Sequence, residues 1–139
     1  MKVIIAGSRN FSNFLLLSKV CDNALIKQRE IEIVSGTANG ADKLGERYAN
    51  IHNYKIKKFP ANWDKYGKSA GYRRNEEMAN YADALIAFWD GKSVGTKHMI
   101  EMAKKYNLKL KVEIFGMDAV QQHIDRLLGF LGIKNNQMK

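Results

Sequence analysis

Three glycine-bearing segments and two acidic side chains hold most of the residues in this sequence that could do chemistry. Gly7-Ser8-Arg9 follows the apolar run at residues 1–6. Ser35 and Gly36 open a segment that passes through Gly40 and Ala41 to Asp42, and Trp89-Asp90-Gly91 leads through Gly95 to Thr96. Each segment joins a short apolar run to a stretch of helical periodicity. A helix N-terminus carries unpaired N–H groups and partial positive charge, which suits a phosphate. Glycine lets the backbone approach such a ligand with no side chain between. Hydroxyls on Ser8, Ser35 and Thr96 add hydrogen-bonding capacity, and Arg9 is able to clamp an oxyanion with two parallel N–H groups. None of the segments is a Walker A loop and none completes G-x-G-x-x-G. Taken singly, each also reads as a tight turn followed by a helix cap.

The acidic residues have double readings as well. Asp42 is either the acceptor for a ribose hydroxyl or a first-turn acid that complements the helix dipole. Asp90 and Asp42 are also the candidate catalytic acids or bases. A further group runs from residue 61 to residue 75, with Trp63, Asp64, Tyr66 and Tyr72 leading into Arg73, Arg74 and Asn75. Aromatics beside arginines suit base stacking and phosphate contact. We expect Trp63, Arg74 and Asn75 to meet a ligand and Tyr66 to pack within its own loop.

These residues need a scaffold, and the periodicity supplies one. Strands are expected at residues 1–6, 31–35, 54–59, 82–89 and 109–115, with helices at 11–28, 41–53, 73–81, 96–106 and 118–131. Residues 61–72 contain Gly67 and Gly71 and have no clean period, so they read as a long loop. The run at 82–89 is apolar throughout, as a central strand of a parallel sheet should be. Such regular alternation predicts an α/β three-layer sandwich: a five-stranded parallel sheet with right-handed crossovers and helices on both faces. Ligands of such sheets bind outside the carboxyl ends of the strands, where the three glycine segments would converge. The expected domain is 1–133, with Asp118 as N-cap and Gly132 as stop of the last helix, followed by a disordered tail at 134–139. Val120, Ile124, Leu127, Leu128 and Leu131 give that helix an apolar stripe suited to core packing or to a homo-oligomer contact.

Composition narrows the classes. The chain has 139 residues, is 45% hydrophobic and carries a net charge of +9, enough for one self-sufficient core and consistent with a phosphate-rich or nucleic-acid partner. The excess charge is concentrated in Lys55, Lys57, Lys58, Lys65, Lys68, Arg73 and Arg74, opposed between residues 54 and 74 only by Asp64. Cys21 is the single cysteine and falls among Leu17, Val20 and Ile26, which suggests a buried, unreactive thiol. His52, His98 and His123 lie on different elements without ligand spacing, so no metal is expected. The opening apolar run reaches a glycine turn too soon for a signal segment, and no run has the length of a membrane span. A cytoplasmic protein with no membrane partner is the expectation.

Four blocks, GSRNF, SGTANGADKLGERYA, FPANWDKYGKSAGYRRNEEM and ADALIAFWDGKSVGTKHMI, taken in order, resemble small SLOG-superfamily proteins of the GSR-x-F type found in bacteria and their phages. That resemblance covers residues 1–112 and implies a Rossmann-like fold that binds nucleotides or NAD-derived molecules. A more distant similarity is to the lonely-guy phosphoribohydrolases, which cleave nucleoside monophosphates to base and ribose phosphate. Their arginine four residues before a methionine, ahead of an A-D-A-hydrophobic strand, matches Arg74, Met78 and Ala82-Asp83-Ala84. Their P-G-G-x-G-T-x-x-E loop matches less well, and Met99 stands at its catalytic glutamate.

The function expected first is therefore binding, by sensing or sequestering, of a phosphate-containing nucleotide or NAD-derived molecule, with no further cofactor required. Hydrolysis of an N-glycosidic or phosphoester bond in such a ligand is the alternative. Single-stranded nucleic-acid binding ranks third, suggested by the charge and by a related fold in a DNA-processing protein. The expected ligand contacts are Gly7, Ser8, Arg9, Ser35, Gly36, Gly40, Ala41, Asp42, Trp63, Arg74, Asn75, Trp89, Asp90, Gly91, Gly95 and Thr96.

Overall fold

A computed structural model describes residues 1–116, 124 and 126–129. Five strands, β1 (Lys2–Gly7), β2 (Glu32–Ser35), β3 (Lys55–Lys58), β4 (Ala84–Trp89) and β5 (Lys109–Ile114), form one parallel sheet in the order β3-β2-β1-β4-β5. Helices α1 (Phe14–Leu25) and α2 (Ala41–Ile51) connect the strands on one side of β1. Helices α3 (Trp63–Tyr66), α4 (Ala70–Tyr81) and α5 (Val94–Lys105) belong to the connections around β4.

Alternation along the strands divides the core. Val3, Ile5, Ile33, Ala84, Ile86 and Phe88 join Leu17, Cys21 and Tyr48 from α1 and α2 on one face. Ile4, Ala6, Val34, Leu85 and Ala87 join Met78, Ala79, Met99 and Ala103 from α4 and α5 on the other. Central β1 and β4 are thus apolar on both faces because both faces are covered. The edges differ: β3 reads Lys-Ile-Lys-Lys, and β5 exposes Lys109 and Lys111, and charge on an edge strand discourages pairing with other chains. Among the described residues no helix is long and apolar enough to cross a membrane.

Three expectations change. Helix α1 begins at Phe14, because Asn13 caps it by accepting from the Leu16 N–H at 3.0 Å. Phe11 turns instead into the core, its ring stacked on Phe88 with centroids 4.8 Å apart. The stretch at 61–72 is not a loop: Asn62 caps α3, the turn Gly67–Ser69 is 3₁₀, and α4 starts three residues early at Ala70. A single helical turn has no room for apolar periodicity, which hid α3, and Gly67 at φ 56 interrupts the helical run between α3 and α4. Residues 124 and 126–129 are helical, with Leu128 buried, whereas Asp118, Gly132 and the tail lie outside the described residues.

Cys21 is fully buried, and burial with the charge of Asp22 beside it pushes its thiol up to about 12, so the expected inert thiol fits the structure. Helix α2 presses onto β1 through Gly45, where an added Cβ would stand 2.8 Å from Ile5 Cβ. Gly95 has no heavy atom within 4 Å of the same position. Gly45→Ala should therefore lower stability by roughly 1–2 kcal/mol despite the gain in helix propensity. Gly95→Ala should be neutral or stabilising by up to about 1 kcal/mol, both read from urea unfolding midpoints.

Candidate functional site

β1 lies between β2 and β4: the chain runs outward from β1 through β2 to β3 and then crosses back to add β4 and β5 on the other side, so the strand order reverses at β1. A crevice opens at such a point outside the carboxyl ends of the strands. Ser8, the first residue past β1, ties its three sides together. Its N–H donates to the Phe88 carbonyl at 2.9 Å, and its carbonyl accepts from Phe11 N–H at 3.1 Å and Ala41 N–H at 3.4 Å. Its hydroxyl accepts from the Asp90 N–H at 3.2 Å. Glycine is required where these turns cross. A Cβ on Gly7 would meet the Phe88 carbonyl oxygen at 2.2 Å, and one on Gly40 would meet the Ser8 carbonyl oxygen at 2.4 Å.

The second turn is built around two buried acids. Glu46 accepts from the Ser35 hydroxyl at 2.6 Å and is approached by Lys43 and Lys58 at 3.7 and 3.6 Å. Ser35 in turn accepts from the Thr37 N–H at 3.1 Å, holding Thr37 at φ 65. A β-branched residue in the left-handed region is strained and persists only where its surroundings impose it. Asp42 accepts from the Ala38 N–H at 3.2 Å. Burial pushes its carboxyl up to about 6, opposed by the Ala38 N–H, the Arg74 charge and the Gly7 N–H, with Glu46 adding to the rise.

Arg74 reaches this turn from α4. Its Nη1 donates to the Gly36 carbonyl and its Nε to Asn75 Oδ1 at 3.1 Å. Gly36 leaves room for the approach, since a Cβ there would stand 2.7 Å from Arg74 Nη1 and 2.8 Å from Asp42 Oδ2. Burial lowers the guanidinium pKa, Asp42 opposes the fall and Arg9 adds to it, yet a guanidinium stays charged near neutral pH. Asn75 is nearly buried, and its Nδ2 lies 3.3 Å from the Gly95 carbonyl and 3.2 Å from His98 Nδ1. It thereby joins Arg74 to the start of α5. Burial holds His98 below its ordinary pKa against the pull of Glu101 and Glu76.

Asp90 builds the third turn. Its carboxylate accepts from the Lys92 and Ser93 N–H groups at 2.9 and 2.7 Å. Partial burial pushes this carboxyl up, but those N–H groups and the Ser8 hydroxyl outweigh it and hold it below the usual range. The Trp89 indole donates to the Ser93 carbonyl at 3.0 Å. Ser93 caps α5, accepting from the Thr96 N–H and hydroxyl at 3.4 and 3.1 Å.

The resulting cleft has a volume of about 230 Å³, a little below the roughly 300–1,000 Å³ of small-molecule pockets. Of the expected contacts, Gly7, Arg9, Asp42, Trp63, Arg74, Asn75, Gly95 and Thr96 line it. Ser8, Ser35, Gly36, Gly40, Ala41, Trp89, Asp90 and Gly91 do not; they belong to the surrounding turns. Because Ala41 N–H is bonded to Ser8 and Asp42 sits over the same turn, the start of α2 offers an anion less than its sequence suggested.

Lys68, Gly71 and Tyr72 also line the cleft, with Ala6, Met78 and Met99 as apolar lining. Gly71, Arg74, Asn75 and Met78 share one face of α4, a spacing that becomes visible only once the helix is started at residue 70. Met99 is 2% exposed and lines the cleft with a thioether. Most of the basic cluster is spent elsewhere. Arg73 lies 4.4 Å over the Tyr66 ring, Lys65 lies 5.1 Å from the same ring, and Lys57 lies 5.7 Å from that of Phe59.

A carboxyl whose pKa is higher folded than unfolded stabilises the fold only while protonated. Its penalty is absent below about pH 4, grows between the unfolded value and about 6, and is fully present above. Asp42→Asn keeps the shape without the charge. It should raise stability by roughly 1–3 kcal/mol at pH 7.5 and by much less at pH 4.5, measured by chemical unfolding at both pH values.

Comparison with known proteins places this arrangement. Residues 1–66 match the model of the YspA, cpYpsA-related SLOG family. The chain is 33% identical over 111 residues to the Gene 61 protein of Mycobacterium phage D29, covering 75% of this chain and 89% of that protein. DNA processing protein A from Streptococcus pneumoniae has the same fold, with a TM-score of 0.64, 19% identity and 96% of this chain aligned, although the chain spans only 57% of that structure. DNA processing protein A from Helicobacter pylori, described for its single-stranded DNA binding mode, superposes with a TM-score of 0.60 at 20% identity over 91% of this chain and 72% of that one. With its Rossmann-like sheet and GSR-bearing first turn, the chain belongs to the YspA, cpYpsA-related SLOG family.

Proposed function

We propose that the cleft binds a phosphate-bearing nucleotide or a small molecule derived from one, and holds it rather than cutting it. The observation that carries this reading is Arg74. Its guanidinium is fixed by Gly36 and Asn75, so the donors left over are presented to the cleft without further loss of side-chain freedom. Arg9 and Lys68 add positive charge to the lining. Trp63 and Tyr72 stand 51% and 44% exposed, placed to cover a flat ring.

Cleavage has less support: Asp90 is committed to its own turn and Met99 cannot move a proton, which leaves Asp42 to act without the second of the two candidate acids. Binding of single-stranded DNA is the second reading. It is favoured by the Helicobacter pylori protein of the same fold and by the net charge of +9, with one nucleotide of the strand seated at Arg74.

Calorimetry with the four ribonucleoside 5′-monophosphates, and separately with a thymidine oligonucleotide at 50 and 200 mM salt, separates the readings. Binding of a monophosphate that falls 10- to 100-fold in Arg74→Ala is expected. Affinity confined to the oligonucleotide and falling steeply with salt would favour the second reading. No binding in either arm would overturn both.

A further inference from the structure

We propose that Asp42 makes the cleft a reader of ribose, so that it takes ribonucleotides in preference to deoxyribonucleotides. The inference rests on the nucleotide reading of the same cleft and gives it a substrate class.

Asp42 is only 5% exposed, yet its side chain forms part of the cleft lining. An ionised carboxylate has about four acceptor positions, and the protein supplies the Ala38 and Gly7 N–H groups. The nearest positive groups do not neutralise it by contact: Arg74 is anchored on Gly36 and Asn75, and Lys43 and Lys58 are drawn to Glu46. A carboxylate in such a place repels a phosphate and rewards a hydrogen-bond donor.

Within a nucleotide the donors are the sugar hydroxyls and the N–H groups of the base. The base has a different place, because Trp63 and Tyr72 supply an aromatic rim from α3 and the first turn of α4, with Gly71 beside the tryptophan ring, where an added Cβ would stand 3.4 Å from it. The phosphate also has a place, at Arg74 with Arg9 or Lys68. What remains for Asp42, carried on α2 and converging with Arg74 on Gly36, is the part of the ligand between base and phosphate, the sugar. Asp42 holds the Ala38 and Gly7 N–H groups, which leaves acceptor positions of an ionised carboxylate for a donor in the cleft.

The test is calorimetric affinity of the four ribonucleoside 5′-monophosphates against their 2′-deoxy and 3′-deoxy counterparts, with wild type and Asp42→Asn. We expect at least one ribonucleotide to bind roughly tenfold or more tighter than a deoxy counterpart, and Asp42→Asn to bring that ratio close to one while remaining folded by circular dichroism. Equal affinities for ribo and deoxy forms in wild type would overturn the assignment while leaving the nucleotide reading intact. A ribose preference that survives Asp42→Asn would overturn it as well, by assigning the selection to another group. Binding of none of the twelve nucleotides would overturn the reading beneath it.

Discussion

The site depends on Ser8. A single residue past the end of β1 spends its N–H, carbonyl and hydroxyl on Phe88, Phe11, Ala41 and Asp90, so the turns after β1 and β4 and the start of α2 are fixed relative to one another by backbone geometry. Each such bond contributes only about 1 kcal/mol net. Leaving any of these groups buried and unpaired would cost more, which makes the arrangement close to all-or-none. Gly7 and Gly40 have no alternative because the crossing backbones occupy the space of their side chains.

From that junction the electrostatics follow. The two buried acids of α2 are handled in opposite ways. Glu46 is satisfied by Ser35 and two lysines and acts as a strut under the second turn. Asp42 keeps a carboxyl near pKa 6 beside a fixed guanidinium. A structural acid would be expected to resemble Glu46. An acid left costly inside a cleft is what binding sites retain at the expense of stability. Asn75 extends the same logic across the cleft, since one amide side chain joins the Arg74 guanidinium to the Gly95 carbonyl and His98.

The sheet, its parallel sense and the apolar β1 and β4 were legible in the sequence, because strand and helix periods differ and glycines punctuate them. Within the site, Arg74 and Asn75 were legible as the basic opening of a helix, and Trp63 as an aromatic beside arginines. Lys68, Gly71, Met78 and Met99 were not named as contacts. The first two lay in a segment read as loop, Met78 figured in a family pattern and Met99 stood at a catalytic glutamate; both methionines are also core, 1% and 2% exposed. Ser8, Ser35 and Asp90 carried the right chemistry for a ligand, but their hydrogen bonds go to the protein.

The sequence by itself determined the class of fold and the burial of Cys21, since both rest on neighbours within a few residues. Only tertiary structure decided which hydroxyls and acids face the cleft. A polar side chain carries the same donors and acceptors whether it holds a turn or meets a ligand, and its role is set by which distant backbone groups reach it first. Ser8 is claimed by Phe88, Ala41 and Asp90, 33 to 82 positions away. Asp42 meets the cleft because Gly36, six positions earlier in the chain, leaves room for Asp42 Oδ2 and Arg74 Nη1 to converge on it.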